Sequence, residues 1–442
     1  MEQHSSLQSP PPVAHDKPTA PAEKSWLSKL GPGLITGAAD DDPSGIATYS
    51  QTGAQFGFNL MWMTLLTYPL MVGIQEVSAR IGRVSGRGLA SNIKRHYPPW
   101  LLYAMVVLLL IANTVNIAAD VAAMGDALHL IIGGKPQLLA LGFGVLSILL
   151  QVFIPYTRYV HVLKWLTIAL MAYVATVLAV HVPWLTVLKH TVVPTIEWKP
   201  AYLTTMVALF GTTISPYLFF WQASQEVEEI RADPDAEPLR KAPEQVGREL
   251  RRIRMDTTIG MAVSNIVAWF IMLTTAVTLH AHGLLDIQSS AQAASALKPI
   301  AGNLAFALFS LGIIGTGLLA IPVLAGSAAY AMAGAFNWRN SLELQPSAAR
   351  KFYGIIAAAT MGGVLIGFLP VDPMKALYWS AVINGVIAVP IMVVTMLLST
   401  RKGVMGDVGI SRPIHVLGWA CTAAMALAVV AMFATMAHGG VS

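Results

Sequence analysis

The sequence predicts an all-α polytopic membrane protein: two five-helix repeats of opposite orientation, an eleventh helix after them, and breaks in helices 1 and 6. Three observations predict it. Of the 442 residues, 55% are hydrophobic and only 12% are charged, with a mean hydropathy of +0.60. Three consecutive aspartates, Asp40, Asp41 and Asp42, followed by Pro43-Ser44-Gly45, interrupt the apolar stretch from Leu34 to Phe58. A second interruption, Gly211-Thr212-Thr213-Ile214-Ser215-Pro216-Tyr217, falls in the sixth apolar span.

A soluble domain carries about twice this share of charge. Apolar runs of roughly 20 residues recur along the chain, which leaves no room for a large soluble domain. The single cysteine, Cys421, excludes an intrachain disulfide and a Cys-based metal cluster. A pI of about 9.2 reports membrane topology here, not nucleic-acid binding, because the positive charge sits in short loops. Residues 1–28 lack an apolar run, so they read as a disordered arm with no cleavable signal, and the first span serves as the targeting signal.

Taken in order, the spans are expected near 31–57, 59–82, 100–131, 137–157, 160–182, 202–224, 257–281, 300–334, 352–371, 374–399 and 414–438. Twenty-three of the 28 Lys and Arg residues fall on one side of this arrangement; only Lys135, Lys189, Lys199, Lys298 and Lys375 fall on the other. The positive-inside rule then places the N-terminus in the cytoplasm and the C-terminus outside, in a bacterial-type plasma membrane. Arg158, His161 and Lys164 read as the positive loop between spans 4 and 5. The polar stretch 225–256 reads as a solvated cytoplasmic helix or linker. The expected division is an arm at 1–28, a first repeat at 29–182, a second at 183–400, and an eleventh helix with its tail at 401–442.

The breaks carry the chemistry. A carboxylate at bilayer depth costs about 2.5–3.5 kcal/mol on insertion scales, so three together call for a compensating cation or a water-filled cavity. Proline removes a backbone donor and glycine loosens the helix. Spans 1 and 6 occupy corresponding places in two five-helix halves, and an odd helix count per half inverts the second. Paired Gly/Pro-broken spans at such positions point to a midplane site where unwound carbonyls ligate a cation. A kink without function is the plainer reading of span 6 alone, because Pro and Gly are common in membrane helices.

At these residues the chain resembles the Nramp family of divalent-metal transporters, and most closely its Nramp-related magnesium-transporting branch. The stretch from Gly31 to Gly45 is similar to the family's first helix with its DPGN motif. Gln75 and Gly82, Ala119-Asp120, Asn265 and Ala325-Gly326 add support. The resemblance implies a leucine-transporter-like fold, a transport function, no cofactor, and Mg2+ or Mn2+ as the transported substrate. It implies no enzyme activity and no nucleic-acid partner; the expected partners are divalent metal ions and the lipid bilayer, with the chain as a monomer.

Matched position by position, the resemblance places the metal aspartate on Asp42, the asparagine of DPGN on Gly45, and the preceding carbonyl ligand on Ala39. The span-6 motif falls on Thr212, Ser215, Pro216 and Tyr217, so a thioether becomes a hydroxyl and an imidazole becomes a phenol. The polar residue of span 10 falls on Asn384. Asp42, Ala39, Thr212, Ser215, Gly45 and Asn384 are thus the expected metal set. Asp40, Asp41, Ser44, Thr213, Tyr217 and Asp120 are expected along the pathway, with Asp120 in an aqueous path or paired to an arginine. The acid that the family carries three residues after that aspartate falls on Ala123.

Thioethers favour transition metals, whereas hydroxyl, carbonyl and carboxylate oxygens are hard ligands that suit magnesium. A phenol with an ordinary pKa of about 10 is a poor proton relay at neutral pH. The expectation is transport of magnesium and manganese with weak or no proton coupling. The alternatives are a proton-coupled manganese or iron carrier and a non-transporting metal sensor. A channel and a membrane enzyme are weaker rivals: the inverted pair of breaks suits alternating access, and no H-E-x-x-H or G-x-S-x-G motif is present. His280 and His282 could form a surface metal-capture pair.

Overall fold

A computed structural model describes residues 36, 37, 39–154 and 167–439. The arm at 1–28, the family-like residues Gly31 to Ile35, and Arg158, His161 and Lys164 lie outside the described residues. Among those described there are no strands. The longer helices are α1 (Pro43–Phe56), α2 (Trp62–Ser85), α3 (Leu89–His96), α4 (Pro99–Ile132), α5 (Pro136–Phe153), α6 (Met171–Ala179) and α7 (Trp184–Val192). They continue with α8 (Pro200–Thr213), α9 (Pro216–Ala232), α10 (Val246–Thr278), α11 (Ala305–Phe336), α12 (Arg350–Ile366), α13 (Pro373–Ser399) and α14 (Arg412–Gly439).

Seven stretches among the described residues are helical, long and apolar enough to cross a membrane. They correspond to spans 3, 4, 6, 7, 8, 10 and 11. Span 5, expected at 160–182, begins outside the described residues, and spans 1, 2 and 9 fall short for visible reasons. Helix α1 has 14 residues because the break shortens it. Helix α2 is long enough but carries Glu76, Arg80 and Arg83, and α12 has only 17 residues. Large apolar side chains stand outward on α5 and α14, among them Leu138, Leu149, Leu427 and Val430. So much exposed apolar surface fits a hydrocarbon surrounding.

Both breaks are present. Residues 36, 37, 39 and 40 are helical, Asp41 bends, Asp42 is extended (φ −68°, ψ 171°), and α1 begins at Pro43. The local sequence accounts for this start. Asp is a favoured N-cap, its Oδ1 accepting from the Gly45 N–H, and Pro suits the first helical position. In span 6, α8 ends at Thr213, Ile214 leaves helical geometry (φ −125°, ψ 55°), and Pro216 opens α9.

Close packing holds the two breaks together. Helix α1 packs against α10, α13, α8 and α4, and α8 lies along α13. At Gly211 a Cβ would stand 1.9 Å from the carbonyl oxygen of Ala381 and 2.4 Å from the Gly385 nitrogen. Only glycine lets the backbones approach this closely, and the approach brings the span-6 break beside Asn384. Gly211→Ala is therefore expected to destabilise the protein by about 1–3 kcal/mol or more, read as a lower unfolding temperature in detergent. An unchanged temperature would show that the two helices can separate freely.

The stretch 225–256, expected as a solvated helix or linker, is helical at both ends and largely exposed, with a buried strip of charge on one face. Helix α9 continues to Ala232, and α10 already begins at Val246, so the arginine cluster forms the first turns of a helix that packs on α2. Glu226 and Glu249 are buried. Glu226 pairs with Arg252, whose Nε also donates to Glu249 at 3.0 Å, and Glu249 accepts from Arg83 at 3.1 Å. A few of these charges pair across α2, α9 and α10, while Arg248, Arg251 and Arg254 stand exposed. Arg80 and Arg83 likewise lie buried inside α2, and Arg80 pairs with Glu76.

Candidate metal site at the paired helix breaks

Asp42 caps α1 and faces the span-6 break. Its Oδ1 accepts from Ser44 Oγ at 2.6 Å and from the Gly45 amide at 2.7 Å. Its Oδ2 accepts from Asn116 Nδ2 of α4 at 2.9 Å and lies 3.5 Å from the Tyr217 hydroxyl. That hydroxyl donates to the Ala39 carbonyl at 3.1 Å. Tyr217, in the first turn of α9, thus ties the second break to the first. Asp42, Ala39, Thr212, Ser215, Tyr217 and Asn384 are all buried, so the group is closed to solvent in this conformation.

Around this group the Thr212 and Tyr49 hydroxyls face each other, the Asp120 carboxylate meets the Ser44 backbone, and both polar atoms of Asn384 are buried with no hydrogen-bond partner. Buried polar groups are otherwise satisfied almost everywhere in proteins, so this orphaned amide marks a place where a ligand or water completes the set. Thr212 Oγ1 lies 3.2 Å from the position a Cβ would take at Gly45, which places it against the first turn of α1.

The other expected residues divide into two groups. Gly45 contributes its amide to Asp42. A Cβ there would stand 3.2 Å from the Asp40 carbonyl as well as from Thr212, so a side chain at that position is crowded. The Ser215 hydroxyl turns back to the ends of α8, donating to the Gly211 and Thr212 carbonyls at 2.7 and 3.1 Å. Thr213 Oγ1 donates to the Leu209 carbonyl, the local pattern of a helical threonine. Asp40 and Asp41 face away from Asp42's partners, towards α10: their carboxylates lie 2.7 and 3.0 Å from the single hydroxyl of Ser264.

Asp120 is not paired to an arginine, contrary to one expectation. It is fully buried, and its electrostatic neighbour is Asp42. His280 and His282 do not converge on a common point. Each uses Nδ1 on a backbone carbonyl, that of Ala54 at 2.8 Å and that of Thr278 at 2.6 Å. Among the described residues no group of three or more His, Cys, Asp or Glu side chains could hold a metal ion. The groups bonded to Asp42 are hydroxyls and amides, and Asp120 lies near it as a second carboxylate.

Asn116 and Ser264 went unread in the sequence. Asn113, Asn116 and Asp120 recur at helical spacing in an otherwise apolar span, a polar stripe that signals an inward face. Asn113 donates to the Leu324 carbonyl, and Asn116 reaches Asp42.

Above α1's first turn, Ala47, Gln51 and Gln55 share a face and line a cavity of about 360 Å3, with Thr204 of α8 and Tyr378 and Trp379 of α13. The Tyr378 hydroxyl meets Thr205 Oγ1 at 2.7 Å beside this cavity.

The family model described as natural resistance-associated macrophage protein-like, Nramp, matches residues 33–435. The chain belongs to the Nramp family. Among curated relatives, a divalent metal cation transporter MntH from Chromohalobacter salexigens is 26% identical over 94% of this chain and 93% of its own length. Another from Acidiphilium cryptum is 28% identical over 87% and 86%. Among solved structures, a manganese transporter of Eremococcus coleocola superposes with a TM-score of 0.73 at 16% identity, covering 93% of this chain and 87% of that one. Mhp1, a nucleobase-cation-symport-1 family transporter, superposes at 0.57 with 13% identity over 92% of each. These structural likenesses show the fold, an all-helical transporter architecture of leucine-transporter type, as the paired breaks lead one to expect.

Proposed function

We propose that this chain carries divalent cations across a membrane by alternating access, accepting magnesium as well as manganese, without obligatory proton coupling. One observation carries the reading: the donors gathered around Asp42 are hard. They are carboxylate, carbonyl, hydroxyl and amide groups, with Ser215 and Tyr217 where the family has a thioether and an imidazole. Hard oxygen donors with one carboxylate suit an ion that keeps part of its water shell. This supports placing the chain in the magnesium-transporting branch. The names borne by its relatives support the divalent-cation class.

The Tyr217 hydroxyl is committed to the Ala39 carbonyl, which supports weak coupling to protons. The inside-negative potential then suffices as the driving force, worth about 4.6 kcal/mol per 100 mV for a dication. The rest of the reading follows the charge asymmetry: N-terminus cytoplasmic, C-terminus outside, a bacterial-type plasma membrane, a monomer, and repeats at 29–182 and 183–400 with the eleventh helix after them. A proton-coupled manganese carrier is the second reading. Asp120 favours it, because a second buried carboxylate beside Asp42, with no cationic partner, is suited to carry a proton.

Uptake into proteoliposomes containing a pH dye separates the two. Magnesium, manganese and calcium are offered in turn. Saturable magnesium flux without internal acidification is the expected result. Flux of manganese alone, accompanied by acidification, assigns the second reading, and binding without flux assigns a sensor.

A further inference from the structure

Asp42 presents its carboxylate in an unusual state of occupancy. A carboxylate has about four lone-pair positions. Two on Oδ1 are taken, by Ser44 Oγ at 2.6 Å and the Gly45 amide at 2.7 Å. One on Oδ2 is taken by Asn116 Nδ2 at 2.9 Å. The Tyr217 hydroxyl has a single proton and a nearer acceptor in the Ala39 carbonyl, so it does not claim Oδ2, while the Ser44 backbone amide adds a further, weaker interaction with the carboxylate.

We propose that Asn116, together with Ser44 and the Gly45 amide, holds Asp42 as a one-oxygen ligand and thereby sets the preference of the site against calcium. The inference rests on the transport reading above. Calcium takes six to eight oxygens and readily accepts both oxygens of one carboxylate. Magnesium takes six at near-ideal octahedral angles, keeps several waters, and needs only one oxygen from a carboxylate. With Oδ1 saturated, a dication at Asp42 meets Oδ2 alone. Rotation of the carboxylate to offer both oxygens would break the bonds from Ser44, Gly45 and Asn116 together.

Asn116 is itself braced. The Ser380 hydroxyl lies 2.8 Å from its Oδ1 and 2.7 Å from the Leu377 carbonyl, so α13 supports the amide from behind. One turn further on, Asn384 offers its two unpartnered polar atoms. Asn116 thus acts through Asp42 as a positioning residue, and α13 supplies both the brace and the free side chain.

The test uses the purified full chain in proteoliposomes, with magnesium uptake competed by calcium. Asn116→Leu removes the donor to Oδ2, and Ser44→Ala removes one donor from Oδ1. Each is expected to lower the calcium inhibition constant relative to the magnesium KM by roughly tenfold, the worth of one hydrogen bond to a charged group. Ser44→Thr keeps a hydroxyl and is expected to retain the wild-type ratio, a rescue that a purely structural role would not produce. Ser380→Ala offers a milder variant should Asn116→Leu fail to fold, with a smaller shift in the same direction. A ratio unchanged in both Ser44→Ala and the folded α4 or α13 variant, with wild-type magnesium uptake intact, overturns this inference alone. A wild-type chain that neither binds nor moves any of these ions overturns the transport reading with it.

Discussion

Asp42→Ala is expected to reduce saturable divalent-cation uptake to the level of empty liposomes. Asp42 is the carboxylate that the donors at the two breaks directly engage, and the groups bonded to it are neutral. Neutral oxygens at bilayer depth cannot offset the charge of a dication taken from water. Alanine also removes the N-cap of α1, a loss of about 1 kcal/mol that could blur the result. Asp42→Asn separates the two effects. Its amide oxygen can still accept from Ser44 and Gly45, so the helix start is kept while the charge is lost. Both variants are expected to be inactive, and Asp42→Asn is expected to keep the wild-type unfolding temperature. Saturable uptake at the wild-type level by Asp42→Asn would remove this carboxylate from the site.

The second large effect is on stability. Arg252→Met is expected to destabilise the protein by about 3–5 kcal/mol, because it strands the Glu226 carboxylate in the interior. Glu226 is fully buried, and Arg252 is its ion-pair partner. Glu249 suffers less, since it keeps Arg83 at 3.1 Å and Arg248 at 3.0 Å. The double variant Glu226→Leu with Arg252→Met removes both charges and is expected to regain most of the loss. Lys199 provides the contrast. Its pair with Glu197 is 2.8 Å long but the lysine is 74% exposed, so Lys199→Met is expected to change stability by less than about 1 kcal/mol. Unfolding temperatures in detergent rank the variants. A single Arg252→Met variant as stable as wild type would mean that water reaches Glu226.

The ion pairs and the site occupy different ends of shared helices. Helix α9 carries Tyr217 at one end and Glu226 nine residues later, and α10 carries Arg252 and then Ser264.

How much was legible in the sequence depended on the range of the interaction. The break in span 1 could be read because its causes are adjacent: Asp42 caps, Pro43 starts a helix, Gly45 donates back, all within four residues. The break in span 6 has the same local character in Ile214, Ser215 and Pro216. The long helices α4, α8–α9, α11 and α13 could be read because lipid demands a run of apolar residues of fixed length. The pairing of the two breaks followed from their corresponding places in two five-helix halves; the resemblance to the Nramp family added the class, which the match over residues 33–435 bears out.

Contacts between distant residues were not legible. Asn116 is 74 residues from Asp42, and Ser380 is 264 from Asn116. A lone asparagine in an apolar span shows that it seeks a partner without showing which one. In the stretch 225–256 the solvated helical character could be read, but not that Glu226 and Glu249 turn inward to meet Arg252 and Arg83. Ser215 shows the limit at a single side chain: its hydroxyl can point to an ion or back to its own helix, and the geometry turns it to the Gly211 carbonyl.

The sequence by itself determined where most of the helices form and where two of them break, because both follow from nearest-neighbour chemistry and the thickness of a bilayer. Only the tertiary structure decided which lone pairs of Asp42 remain open, which charges neutralise each other, and which hydroxyls are spent on backbone. Those outcomes depend on groups that meet through packing, and spacing along the chain does not encode which helix face will stand opposite.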